Sequence, residues 1–132
     1  MQAMTITIAH IAVWTEDLEC LKTFYEKYFQ AQAEPLYVNA AKQFSSYFLR
    51  FDGGARLELM VRATMSGAAR PADAPGYAHV ALGVGSEAAV DALTRRLQQD
   101  GYAVVDGPRR TGDGYYESVV LDPDGNRLEI TV

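Results

Sequence analysis

"FSSYFLRFDGGARLELMV" (residues 44–61) and "YYESVVLDPDGNRLEITV" (residues 115–132) lie over one another without a gap. Gly54/Gly125, Arg56/Arg127, Leu57/Leu128, Glu58/Glu129 and Val61/Val132 are identical. Each stretch reads as two strands joined by a turn, with Asp-Gly steps in "FDGGA" and "DPDGN" where a turn needs positive φ. In the last strand Leu128, Ile130 and Val132 alternate with Arg127, Glu129 and Thr131, so one face is apolar and the other carries a carboxylate. A solvated face would explain one such glutamate. The same glutamate in both copies asks for a further reason.

Upstream, a second pair of segments repeats: "AHIAV" (9–13) and "AHVAL" (78–82) share Ala9/Ala78, His10/His79 and Ala12/Ala81. A helix follows each. The first is expected over "TEDLECLKTFYEKYF", with Thr15 as N-cap, Glu16 and Asp17 in the first turn, and Leu18, Leu21, Phe24, Tyr25 and Tyr28 on one face. The second is expected over "SEAAVDALTRRLQQDG", capped by Ser86, with Val90, Leu93 and Leu97 in its stripe and Gly101 just past its end. Short strands near Leu36–Asn39 and Tyr102–Asp106 complete a β-α-β-β-β order in each half. The expected architecture is α+β: one domain of two βαβββ modules, about residues 4–62 and 77–132, forming curved mixed sheets with the helices outside. Residues 63–76, small and rich in Gly and Pro, are expected to link them.

At 132 residues the chain buries enough surface to fold without disulfide or structural metal. Its net charge of −5 and pI near 4.9 offer no basic footprint for nucleic acid or an anionic membrane. No apolar run approaches the roughly 20 residues needed to span a bilayer, and the N-terminus lacks the positive region of a signal peptide. A single cysteine, Cys20, fits a reducing, cytoplasmic setting, and its helical position without a neighbouring histidine reads as an unreactive thiol.

The chain has two histidines, and both occupy the equivalent position of the repeat. Singly, a histidine in a strand reads as a hydrogen-bonded core group, and Glu58 or Glu129 as the ion-pair partner of Arg56 or Arg127 two residues away. Jointly, His10, Glu58, His79 and Glu129 form an N₂O₂ donor set suited to a divalent ion such as Zn²⁺, Ni²⁺, Mn²⁺, Co²⁺ or Fe²⁺.

With those residues in place, the sequence resembles the vicinal-oxygen-chelate superfamily of glyoxalases, bleomycin-resistance proteins and dioxygenases. The resemblance covers essentially the whole chain and is carried by "HIAVWTEDLECLKTFYEKYF", "ARLELM", "GYAHVAL" and "VVLDPDGNRLEI". With all four ligand positions filled, the chain resembles the single-domain bacterial form of glyoxalase I, lactoylglutathione lyase. The resemblance implies one divalent metal (Ni, Zn, Mn or Co) per site, a methylglyoxal–glutathione hemithioacetal as substrate, and proton transfer through a metal-bound enediolate to a 2-hydroxyacyl thioester. It implies Glu129 as the base, Glu58 as its pseudo-symmetric partner, and a homodimer, with metal sites within one chain or shared between two. The chain departs from glyoxalase I at two places. Trp14 stands where an arginine follows the first metal histidine by four residues, and Arg62 where an asparagine follows the first metal glutamate by four. Arg62 is expected to replace the missing cation and Trp14 to line an apolar wall.

Arg109 and Arg110 in "DGPRRTGDGYY" (106–116) are expected on a mobile loop meeting a substrate carboxylate or, alternatively, on a solvated hairpin loop. Met60 and Tyr77 share strand faces with Glu58 and His79, as wall or core residues. The same family contains epimerases, fosfomycin-modifying enzymes and extradiol dioxygenases; a fourth ligand, Glu58, argues against the last two. A metal-free bleomycin-binding module is the remaining alternative, and an intact quartet argues against it.

Overall fold

The structure is a computed structural model, and it describes residues 3–132. The chain divides into two compact units, Met1–Gly67 and Ala68–Val132.

In the first unit, β1 (His10–Trp14) is followed by α1 (Leu18–Phe29), then β2 (Gln32–Ala33), β3 (Tyr37–Asn39), β4 (Phe44–Arg50) and β5 (Arg56–Arg62). The sheet order is β1-β5-β4-β2, with β3 also paired to β4. β1 and β5 run parallel, and the other pairs are antiparallel. The two-residue β2 has no counterpart in the sequence reading, because two residues carry no measurable alternation. Helix α1 covers one face of the sheet. Its Leu18, Leu21, Phe24, Tyr25 and Tyr28 are buried as their spacing requires, above Leu49, Leu57 and Leu59. Leu49 and Leu59 are fully buried, each contributing about 2 kcal/mol of apolar burial.

The start of α1 corrects one expectation. Asp17, not Thr15, is the N-cap: its carboxylate accepts from the Cys20 backbone N–H at 3.0 Å. Thr15 is still tied to the sheet, its N–H donating to the Met60 carbonyl oxygen, while its hydroxyl accepts from the Asp17 N–H. That hydroxyl turns the chain one step before the helix, which moves the cap two residues on.

The second unit repeats the plan with β6 (His79–Gly83), α2 (Glu87–Gln99), β7 (Val104–Arg110), β8 (Tyr116–Leu121) and β9 (Arg127–Thr131) in the order β6-β9-β8-β7. β6 and β9 are parallel, the rest antiparallel. Ser86 caps α2 as read, accepting from the Ala89 N–H, and Gly101 follows the helix at φ +95°. Val90 and Leu97 are fully buried. Leu93 is only half-buried, and Thr94 takes the inner position instead. Its hydroxyl meets that of Ser118 at 2.7 Å, so two polar groups on facing elements satisfy each other inside the core. Both hairpin turns carry their glycine at positive φ, Gly54 at +77° and Gly125 at +83°. Asp122 closes the second turn by accepting from the Asp124 and Asn126 N–H groups.

β7 runs through Arg110, further than the strand expected over Tyr102–Asp106. The loop is therefore short, and Arg109 and Arg110 belong to the strand rather than to a lid. Among the described residues no helix is long and apolar enough to cross a membrane.

Candidate functional site

Each sheet has one face against its helix and one face open. Strand register decides which side chains share the open face. In the first unit His10, Ala12 and Trp14 of β1 lie beside Arg56, Glu58 and Met60 of β5. These in turn lie beside Phe48 and Ser46 of β4, with Phe44 opposite Arg62. In the second unit His79 and Ala81 lie beside Arg127 and Glu129, with Val119 opposite Glu129 and Glu117 opposite Thr131.

Each open face brings its histidine to its glutamate. His10 Nε2 is 3.6 Å from Glu58 Oε1, and His79 Nε2 is 3.0 Å from Glu129 Oε1. The two residues of each pair come from neighbouring parallel strands in equivalent register, a consequence of the repeated sequence. The expected arginine partners are not what holds Glu58: Arg56 pairs with Glu34 at 3.0 Å and stacks over Phe48 at 4.2 Å. Phe48 also meets the His10 ring edge-on, with centroids 5.1 Å apart, which fixes the imidazole's orientation.

Do these pairs suit a metal ion? Two donors bound at roughly 2.1 Å to one ion stand about 3.0 Å apart at a right angle and about 3.4 Å apart at the tetrahedral angle. Separations of 3.0 and 3.6 Å between an imidazole nitrogen and a carboxylate oxygen fit two ligands of such an ion. The histidine side chains are about 40% exposed, and those of Glu58 and Glu129 14% and 21%, so the pairs are accessible from solvent. Among the described residues no three His, Cys, Asp or Glu side chains are placed to hold a metal ion together. What the fold supplies is the same His–Glu pair on each sheet.

Glu117 was missed in the sequence. It faces Thr131, two residues from Glu129, across β8 and β9, and its pKa is pushed up, first by burial and then by the neighbouring Glu129 charge. The one charged residue of "YESVVL", on the Glu129 face of the sheet, was the available signal.

The proposed substrate residues divide. Met60 is half-buried on the Glu58 face, as read. Trp14 and Arg62 also stand on that face, and the Arg62 guanidinium lies over the Trp14 ring at 4.6 Å. Arg109 is held by Asp106 at 2.9 Å, which depresses the Asp106 pKa and raises that of Arg109, and Arg110 is engaged by Glu87. Tyr77 precedes β6 and is 89% exposed, so it is not a strand residue or a core residue. Cys20 is exposed on α1.

Comparison with known proteins agrees with this architecture. Residues 7–130 match the profile of the Glyoxalase/Bleomycin resistance protein/Dioxygenase superfamily, and the chain belongs to that superfamily. No curated protein matches the sequence significantly. Among solved structures, the glyoxylase/bleomycin resistance protein/dioxygenase domain from Frankia sp. EAN1pec superposes with a TM-score of 0.83 at 18% identity, covering 98% of each chain. The trypanothione-dependent glyoxalase I of Leishmania major gives 0.78 at 18% identity, over 96% of this chain and 86% of that one. A possible glyoxalase from Bacillus cereus gives 0.73 at 26% identity, over 97% and 100%.

Proposed function

We propose that the chain is a divalent-metal-dependent lyase or isomerase of the glyoxalase I kind. Its substrate would be the hemithioacetal of an α-oxoaldehyde and a thiol, methylglyoxal–glutathione being the reference compound, and its product a 2-hydroxyacyl thioester. The observation that carries this reading is the repeated His–Glu pair, at 3.6 and 3.0 Å on equivalent strands of both sheets.

His10, Glu58, His79 and Glu129 would hold the ion, the two half-sites meeting within one chain or across a homodimer. When bound, a Lewis acid at these donors would stabilise negative charge developing on the substrate's oxygens. The chain's own part is proton movement and orientation. A Glu129 carboxylate oxygen takes the proton from the carbon beside the carbonyl and returns it to the adjacent carbon. Glu117 is a second acid on the Glu129 face of the sheet. Phe48 fixes the His10 ring. The setting consistent with one exposed, unpaired thiol is the cytoplasm.

The test begins with metal content per chain after stripping and dialysis against Ni²⁺, Zn²⁺, Mn²⁺ and Co²⁺ in turn. About one equivalent for each four-donor set is expected, followed by turnover of methylglyoxal–glutathione hemithioacetal with the preferred ion. Glu129→Gln should keep most of the metal and lose at least about 10²-fold in kcat. Undiminished turnover in that variant would rule out Glu129 as the base. A second reading is a metal-free small-molecule binder, favoured by a family description that includes bleomycin resistance proteins. Failure to bind any of the four ions would select it.

A further inference from the structure

The two open faces carry the same His–Glu pair in unlike surroundings. On the first sheet, Trp14 and Phe44 pack edge to face with centroids 6.2 Å apart, and Tyr37 and Phe44 likewise at 6.2 Å. Register places Tyr37 opposite Ser46, Ser46 opposite Met60 and Met60 opposite Trp14, so the rings form one row across β3, β4 and β1. Trp14 on β1 and Tyr37 on β3 are 43% and 53% exposed, so the two outer rings of the row are open to solvent. On the second sheet the positions equivalent to Trp14 and Met60 are Gly83 and Thr131.

Arg62 completes the row. It lies over Trp14, and its Nε donates to the Thr64 carbonyl oxygen at 3.0 Å. Arg50, Arg56, Arg109 and Arg110 each have a carboxylate partner, whereas among the described residues Arg62 has none. An arginine held against an aromatic ring and left without an acid, in a chain of net charge −5, is suited to an anion from outside. Its stacked guanidinium presents planar N–H donors that match a carboxylate.

We propose that Trp14, Tyr37, Phe44 and Arg62 bind a substrate carrying both an aromatic ring and a carboxylate, the ring on the three aromatic side chains and the carboxylate on the guanidinium. This names the substrate class of the enzyme proposed above and takes its chemistry from that reading, while the binding itself requires only residues of the first sheet. An aryl-bearing anionic α-oxo compound would then place its ring beside the His10–Glu58 pair and its carboxylate two strand positions beyond Met60.

Trp14 is the only tryptophan in the chain, so its emission reports on this row directly. The experiment titrates 3-phenylpropionate into the full chain, metal-stripped and metal-loaded, following Trp14 emission and measuring Kd by equilibrium dialysis. 3-Cyclohexylpropionate and 3-phenylpropan-1-ol serve as comparators. Saturable binding of 3-phenylpropionate is expected in both states, roughly two- to tenfold tighter than the cyclohexyl acid. Arg62→Met should weaken the acid by about tenfold or more and leave the alcohol nearly unchanged. Phe44→Leu should weaken both aromatic probes. Equal affinities for the phenyl and cyclohexyl acids, or an Arg62→Met variant that binds the acid like the parent, would overturn the proposal. So would Trp14 emission that ignores the probe and changes only on dilution of a self-associated chain, which would assign the row to a second copy. Metal content measured on the same samples separates the two readings. A chain that binds metal but no probe overturns this inference alone, and one that binds the probe but no metal overturns only the metalloenzyme.

Discussion

Glu117 shows at the scale of one residue what neighbouring acids cost and what they offer. Burial and the Glu129 carboxylate raise its pKa above that of a free glutamate. A carboxyl whose folded pKa lies above its unfolded value gives stability that is intact below the unfolded pKa and lost as pH rises through the folded one. Glu117→Gln removes that titration. In metal-free protein the variant should therefore gain stability over the parent as pH rises from 4 to 7, and the difference should vanish in acid. Urea midpoints at a series of pH values check this, and a difference that grows toward low pH would have the wrong sign. The four proposed ligands were readable because the repeat placed them twice. Glu117 was not, because its counterpart in the first half is Ser46 and repetition gives no signal for a residue present once. Trp14 and Arg62 were each visible as departures from glyoxalase I, but their mutual contact needs the register of β1 on β5.

At the scale of elements, the sequence specified strand and helix order well, since hydrophobic period and turn glycines agree locally. It gave the ends less well. The N-cap of α1 moved from Thr15 to Asp17 because both side chains can accept from a backbone N–H two or three residues on: Thr15 takes that of Asp17 and forms the preceding turn, Asp17 takes that of Cys20, and spacing cannot rank them. β7 was read too short because Gly107 and Pro108 look like loop residues. In the structure they sit in a strand whose pairing with β8 is shifted in register between Asp106 and Arg109. Gly107 takes φ +72°, and a Cβ added there would stand 2.6 Å from the Glu117 carbonyl oxygen. Gly107→Ala should cost about 1–3 kcal/mol and disturb the strand that carries Glu117. Gly112→Ala has open space and no positive φ, and should change stability by no more than about 0.5 kcal/mol. Similar denaturation midpoints for the two variants would contradict this account of the bulge.

For the whole molecule, repetition made the architecture legible: two similar sequences give two sheets of the same order, each with one helix on one face. Each unit brings its own histidine to its own glutamate, at 3.6 and 3.0 Å. A native-state metal held by the proposed ligands would raise the stability of the folded chain. At a free concentration about a hundredfold over Kd, the gain is about 2.7 kcal/mol, or about 10 °C in Tm for a chain of this size. Adding a chelator in excess should lower Tm by that amount in a single transition. An unchanged Tm in protein shown to have carried metal would place the ion away from these residues.

The unlike faces around like pairs have a consequence for the protein's history. After an internal duplication, a motif kept in both copies is constrained twice, while everything around it is free to diverge in either copy alone. Here one copy carries rings and a guanidinium without an acid partner, and the other an additional acid, with the His–Glu pair present in each. Preference for a new compound can therefore arise by drift within residues 10–62, leaving the second copy's inherited pair and its acid neighbour as they are.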